Sequence, residues 1–176
     1  MLKHLPNLLT LLRLILAFVF PFASEQYRLV ILMVALATEY LDGAFSRWFN
    51  LHTSLGALLD PVADKCFVLS VAVVMFLETD ISWWQFLLFG ARDIAVFCGA
   101  LFVAWEKNWR AFFNVVPRIL GKVATAFQFL LFLSFVGLNM IPQWLLVSAI
   151  LISILSAVDY TYLFFKNNFY REMKDA

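Results

Sequence analysis

An all-α, polytopic membrane protein is the fold class this sequence predicts, and three observations predict it. Apolar residues make up 64% of the 176-residue chain and charged residues 14%, against about 45–50% and about 25% in soluble domains. The apolar residues fall into segments near the ~20 residues that cross a bilayer as a helix. Lys and Arg gather at those segment ends that an alternating topology puts on one side. Length allows one domain, residues 1–176, and neither an internal repeat nor a low-complexity linker is visible. A net charge of +1 argues against nucleic-acid binding. Cys66 and Cys98 are too few for a disulfide framework and lie inside apolar runs, where they read as packing residues.

In order, the chain opens with Asn7, Thr10 and Arg13 at three-residue steps, one polar stripe of a helix. This amphipathic lead-in runs into the apolar stretch Leu14–Ala23 as a first span. A cleaved signal peptide would also begin with a basic residue, but Arg13 interrupts the run and no small-x-small cleavage site follows. Further apolar segments run over Arg28–Phe49, Leu55–Leu77, Trp83–Trp105, Val123–Leu138 and Ile141–Phe165, the fifth beginning nearer Arg118. With the first, six transmembrane helices are predicted.

Charge asymmetry orients them. If the N-terminus is cytoplasmic, Arg28 is the one basic residue at an outer edge, while Lys3, Arg47, Lys107, Arg110, Arg118, Lys122, Lys166, Arg171 and Lys174 fall at the inner one. Both termini are therefore expected in the cytoplasm, in a multi-pass protein of the cell's inner membrane.

Four acids break the apolar pattern. Glu39 and Asp42 are three apart on one predicted helix, and Asp60 and Asp64 are four apart on the next, so each pair shares a helix face. At 1.5 Å per residue, Asp42 and Asp60 lie roughly 8–10 Å below the inner membrane edge and Glu39 and Asp64 about 15 Å, a cavity open to the cytoplasm. An acid at a membrane-helix centre costs roughly 2.5–3.5 kcal/mol, so four uncompensated ones would cost on the order of 10 kcal/mol. Converging carboxylate oxygens suit hard divalent cations, and two Mg2+ or Mn2+ ions would balance four charges. Gly43 and Gly56 let backbones or a flat ligand approach closely.

Written out, Glu39-x2-Asp42-Gly43-x2-Ser46-Arg47-x8-Gly56-x3-Asp60-x3-Asp64 resembles the signature of the CDP-alcohol phosphatidyltransferases, Asp-x2-Asp-Gly-x2-Ala-Arg-x8-Gly-x3-Asp-x3-Asp. Every spacing is kept. Two residues depart, Ser46 for Ala and Glu39 for Asp, the latter moving a carboxylate out by about one methylene. The opening Pro6-Asn7-x-Leu9-Thr10-x-x-Arg13 is similar to the start of many members. The resemblance covers nearly the whole chain. It implies a membrane enzyme of phospholipid biosynthesis that moves a phosphatidyl group from CDP-diacylglycerol to a polar alcohol and releases CMP.

The same resemblance implies Glu39, Asp42, Asp60 and Asp64 as ligands of the two cations, with Asp64 also the general base that takes the attacking hydroxyl's proton. It implies that Arg47 meets the nucleotide phosphates, that Gly43 and Gly56 give the cytidine room, and that Asn7 and Thr10 hydrogen-bond in the nucleotide region. A homodimer is implied by resemblance alone.

For the acceptor, Gly121-Lys122-Val-Ala124-Thr125-x-x-Gln128 is similar to a Gly-Lys-x-Lys-Thr-x-x-Gln segment of members that use glycerol phosphate, with Ala124 replacing the second Lys. Arg118, Lys122 and Thr125 share a face at a helix start, where free N–H groups favour anions. That reading makes sn-glycerol 3-phosphate the acceptor and Arg118, Lys122 and Arg92 its phosphate contacts; a positive-inside flank is the plainer account of the same residues. Arg92 and Asp93, adjacent in sequence, are expected to face apart, and Asp159 reads as a structural partner for a basic residue. Phosphatidylglycerol is the alternative acceptor, and a member that binds CDP-lipid without turnover is a further alternative. A cation-coupled transporter also carries buried acids, but on broken helices of a repeated architecture.

Overall fold

A computed structural model describes the backbone of residues 5–49, 54–105 and 119–175 and the side chains of residues 8–38, 62–99 and 119–163. Among the described residues the chain is all-helical, without a strand. The helices are α1 (Leu5–Val19), α2 (Glu25–Phe49), α3 (Ser54–Glu78), α4 (Trp83–Phe89), α5 (Ala91–Trp105), α6 (Ile119–Leu138) and α7 (Gln143–Asp175).

Local chemistry sets their ends. Pro21 carries no N–H and cannot continue α1, so the chain tightens into a 3-10 turn at Phe20–Phe22 and leaves it extended at Ala23. Glu25 places a negative charge in the first turn of α2. Ser82 and Gln85 form a reciprocal capping box at the start of α4. Asn139, at φ 49°, takes the left-handed conformation that stops α6, and the Ser134 hydroxyl donates to the Met140 carbonyl beyond it at 2.9 Å.

Two of these helices, Ile119–Leu138 and the Gln143–Leu163 part of α7, are long and apolar enough to cross a membrane. Large apolar side chains also face outward on several helices, among them Phe18, Phe22, Phe97 and Trp144. Such a surface suits lipid rather than water, and the chain is membrane-associated. The expected span Trp83–Trp105 is interrupted: α4 ends at Phe89 with Gly90 as its cap, and α5 begins at Ala91. Here the Arg92 N–H turns to the Ser153 hydroxyl of α7 at 3.2 Å, and that hydroxyl donates to the Phe89 carbonyl at 2.8 Å. A side chain inserted into the backbone ladder is a standard cause of a helix break.

The chain forms two compact units. One comprises the described residues up to Asp80 together with Phe132–Met140, and the other Ile81–Leu131 with the described residues from Ile141 onward. In the first, α1 packs against α3 and α2. Ala17, Ala35, Ala63 and Ala72 are buried there beside Phe20, Phe67, Leu32, Val71 and Met75; small residues let helix backbones approach closely. Arg13 meets Asp64 and, further along both helices, the Ser70 hydroxyl donates to the Ala17 carbonyl at 2.7 Å and Phe20 meets Phe67 edge-on at 6.0 Å. Helices α1 and α3 therefore run in the same direction. Arg28 at the start of α2 meets Glu78 at the end of α3, so α2 runs against them. In the second unit α4 and α5 pack on α7 around Phe89, Leu145, Leu146, Ala149 and Ile150.

Candidate active site

In the first unit, the acid signature occupies α2 and α3. Glu39, Asp42, Gly43 and Arg47 lie on α2, Gly56, Asp60 and Asp64 on α3, each stretch helical in backbone. Helical backbone keeps the three- and four-residue spacings on one face of each helix, as expected. Asp64 is the one carboxylate of the four whose side chain is described. Those of Glu39, Asp42, Arg47 and Asp60, and that of Asn7, lie outside the described residues, as does Arg118 altogether. Among the described residues no three acids, His or Cys gather as a metal cluster.

Asp64 is held from behind. The Arg13 guanidinium donates from Nη1 to Asp64 Oδ1; Arg13 is 3% exposed, whereas the Asp64 side chain keeps 36% of its surface. Arg13 thus supplies a counter-charge to a carboxylate about 15 Å along α3 from its first residue. Thr10, one turn before Arg13, is also buried. The polar stripe of Asn7, Thr10 and Arg13 marks this face of α1, but sequence reasoning gave Arg13 no partner. The signal that could have found it was a lone cation in an apolar helix beside a neighbouring helix rich in acids.

Far from Asp64, Arg28 makes a two-pronged contact with Glu78: Nη1 to Oε2 at 2.5 Å and Nη2 to Oε1 at 2.7 Å. Its Nε donates to the Ala23 carbonyl at 3.1 Å, and the guanidinium stacks 5.9 Å from the Phe20 ring centre. Hydrogen bonding from Arg28 holds the Glu78 carboxyl below the usual glutamate range.

The second unit holds a polar cluster of its own. Arg92 Nη1 donates to the Thr125 hydroxyl at 2.7 Å, and that hydroxyl donates to the Gly121 carbonyl at 3.0 Å. Arg92 Nε is buried without a hydrogen bond among the described residues. Gln128 Nε2 donates to Asp93 Oδ2 at 3.1 Å. Arg92 also comes within 3.9 Å of Asp93, too far for a hydrogen bond, and each has a closer partner elsewhere, in line with the expectation that these neighbours point in different directions and pair poorly. Thus Arg92, Thr125 and the Gly121 backbone come together, while Lys122 is exposed. Gly121 packs close under Tyr160: a Cβ there would stand 2.7 Å from the Tyr160 hydroxyl, so the ring would have to move aside.

Taken with the family model that matches residues 3–155, these features define the class: the chain belongs to the CDP-alcohol phosphatidyltransferase family, whose members are enzymes. Among its relatives is the CDP-diacylglycerol–glycerol-3-phosphate 3-phosphatidyltransferase of Aquifex aeolicus, 32% identical over 93% of this chain and 97% of the relative. The protein of the same name from Salmonella typhimurium is 35% identical over 71% of this chain and 72% of its own length. A candidate cardiolipin synthase of Mycobacterium tuberculosis is 33% identical over 68% of this chain, which spans 58% of that protein.

Proposed function

We propose that this chain transfers the phosphatidyl group of CDP-diacylglycerol to sn-glycerol 3-phosphate, forming phosphatidylglycerophosphate and CMP. The observation that carries the reading is the complete spacing of the acid signature on two helices, ending in an Asp64 carboxylate that is backed by Arg13 and still partly exposed. The names of the relatives from Aquifex and Salmonella favour glycerol 3-phosphate as acceptor. The mycobacterial relative keeps phosphatidylglycerol as the second reading.

In this reading the whole chain acts as one catalytic domain of six spanning helices in the inner membrane, both termini in the cytoplasm. The donor set suits two Mg2+ or Mn2+ ions: four hard carboxylates, two per helix at one-turn spacing, the described one of them partly exposed. Glu39, Asp42, Asp60 and Asp64 would hold them. When bound, the cations screen the diphosphate and polarise its phosphoryl oxygens. Arg47 pairs with the nucleotide phosphates, Gly43 and Gly56 make room for cytidine, and Asn7 and Thr10 hydrogen-bond in the nucleotide region.

Asp64 takes the proton from the acceptor hydroxyl as that oxygen attacks the lipid-bearing phosphorus. The bond from this phosphorus to the bridging oxygen breaks, and CMP leaves with the electron pair. Arg92, Arg118 and Lys122 receive the acceptor phosphate. The buried Nε of Arg92 supports this role, since an orphaned donor suits an anionic ligand. Purified protein given CDP-diacylglycerol with each acceptor separately tests the assignment. Product with glycerol 3-phosphate, and a raised KM for it in Arg118→Ala, is the expected result; product with phosphatidylglycerol alone overturns it.

A further inference from the structure

Arg13 and Asp64 lie 51 positions apart and meet across the seam of α1 and α3. Their burial is lopsided: the guanidinium is enclosed, whereas the carboxylate keeps over a third of its surface. A pair serving stability alone would gain little from such an arrangement, because a buried ion pair replaced by apolar side chains of similar volume is often neutral or better. The surrounding seam, built of Ala17, Phe20, Ala63, Phe67 and Val71, is apolar enough to take such a replacement.

The seam also fixes the cation in place. Phe20 locks against Phe67, and the Ser70 hydroxyl ties α3 to the Ala17 carbonyl one turn beyond Arg13. Arg13 therefore approaches Asp64 from a platform shared by both helices. A guanidinium donates along directions set by its plane, unlike an ammonium. Fixing Oδ1 sets the direction in which Oδ2 points.

We propose that Arg13 is a positioning residue for the reaction: anchored in the α1–α3 seam, it aims the Asp64 carboxylate at the acceptor hydroxyl. The inference rests on the reading of Asp64 as general base. It assigns Arg13 no contact with substrate; the effect proposed for it is exerted on Asp64. Misplacement of a reacting group by about 1 Å can cost on the order of a hundredfold in rate.

The test uses the full-length chain in lipid nanodiscs with CDP-diacylglycerol, glycerol 3-phosphate and Mn2+. Wild type, Arg13→Gln, Arg13→Lys, Asp64→Asn and the double variant R13Q/D64N are compared for kcat, KM, CDP-diacylglycerol binding and folded fraction. Arg13→Gln should lower kcat per folded molecule about a hundredfold and leave CDP-diacylglycerol affinity within about threefold of wild type. Arg13→Lys, with the charge but not the planar fork, should recover part of the rate and serves if the Gln variant does not fold. The double variant should be no slower than Asp64→Asn, because Arg13 acts through Asp64. Wild-type kcat in the folded Arg13 variants beside an inactive Asp64→Asn would overturn the positioning role and leave the base intact. So would a loss confined to CDP-diacylglycerol affinity, which would make Arg13 a nucleotide contact. An active Asp64→Asn would instead remove the base reading.

Discussion

Breaking the Arg28–Glu78 contact by Glu78→Gln and by Arg28→Met should destabilise the first unit unequally, and the structure says by how much. The Glu78 side chain is 41% exposed, so solvent screens its charge; an exposed ion pair contributes about 0.2–1 kcal/mol. Glutamine keeps one acceptor for the guanidinium, and Glu78→Gln should cost less than about 1 kcal/mol. Arg28 is buried and does more: it also binds the Ala23 carbonyl and stacks on Phe20. Losing that stack costs about 0.5–1 kcal/mol and that hydrogen bond about 1 kcal/mol more, so Arg28→Met should cost roughly 2–3 kcal/mol with the pair included. At about 2–4 °C per kcal/mol for a chain of this size, midpoints should fall by up to about 4 °C and by about 4–12 °C.

Acid adds a sign check. Because Arg28 depresses the folded-state pKa of Glu78, its contribution is present above the ordinary glutamate value of 4.5 and lost as pH falls through the folded value. The gap between wild type and Glu78→Gln should therefore stand at pH 7 and close in acid below 4.5. Thermal unfolding in detergent at both pH values reads all of this. A Glu78→Gln loss equal to or larger than that of Arg28→Met, or a gap that widens in acid, would refute the reasoning.

Three further outcomes are expected. Gly121→Ala brings a methyl to 2.7 Å from the Tyr160 hydroxyl; because the ring can swing aside and alanine favours the helix, the net cost should be about 1 kcal/mol or less, and Tyr160→Phe should restore part of it in a double-variant melt. Ser153→Ala leaves the Arg92 N–H and the Phe89 carbonyl without their bridge, so it should lower the midpoint by an amount matching about 1–3 kcal/mol; an unchanged melt would show that α4 and α5 do not depend on it. Fusions of a topology reporter at Thr79 and at Lys174 should report opposite sides of the membrane, and the same side for both would end the proposed orientation.

The helical setting of the acid signature was legible in the sequence because it is written locally. The i, i+3 and i, i+4 acid spacings needed only helical backbone on α2 and α3, which both have. The start of α6 ahead of Val123 and the polar face of α1 were likewise local. What escaped depends on partners distant in sequence. Arg13 finds Asp64 only because α1 and α3 run parallel in one register, and a stripe on α1 carries no record of that. The break at Gly90 is stitched by Ser153, 64 positions from Phe89, so the apolar run Trp83–Trp105 looked continuous.

The central claim is phosphatidyl transfer at the acid signature. The most direct measurement is mass spectrometry of purified protein given CDP-diacylglycerol, isotope-labelled glycerol 3-phosphate and Mn2+, with CMP counted in the same reaction. The account predicts labelled phosphatidylglycerophosphate and CMP in equal amounts from wild type, and neither from Asp60→Asn nor with excess chelator. CDP-diacylglycerol that is bound yet returned intact by the folded wild-type protein, or full turnover by Asp60→Asn, would contradict it.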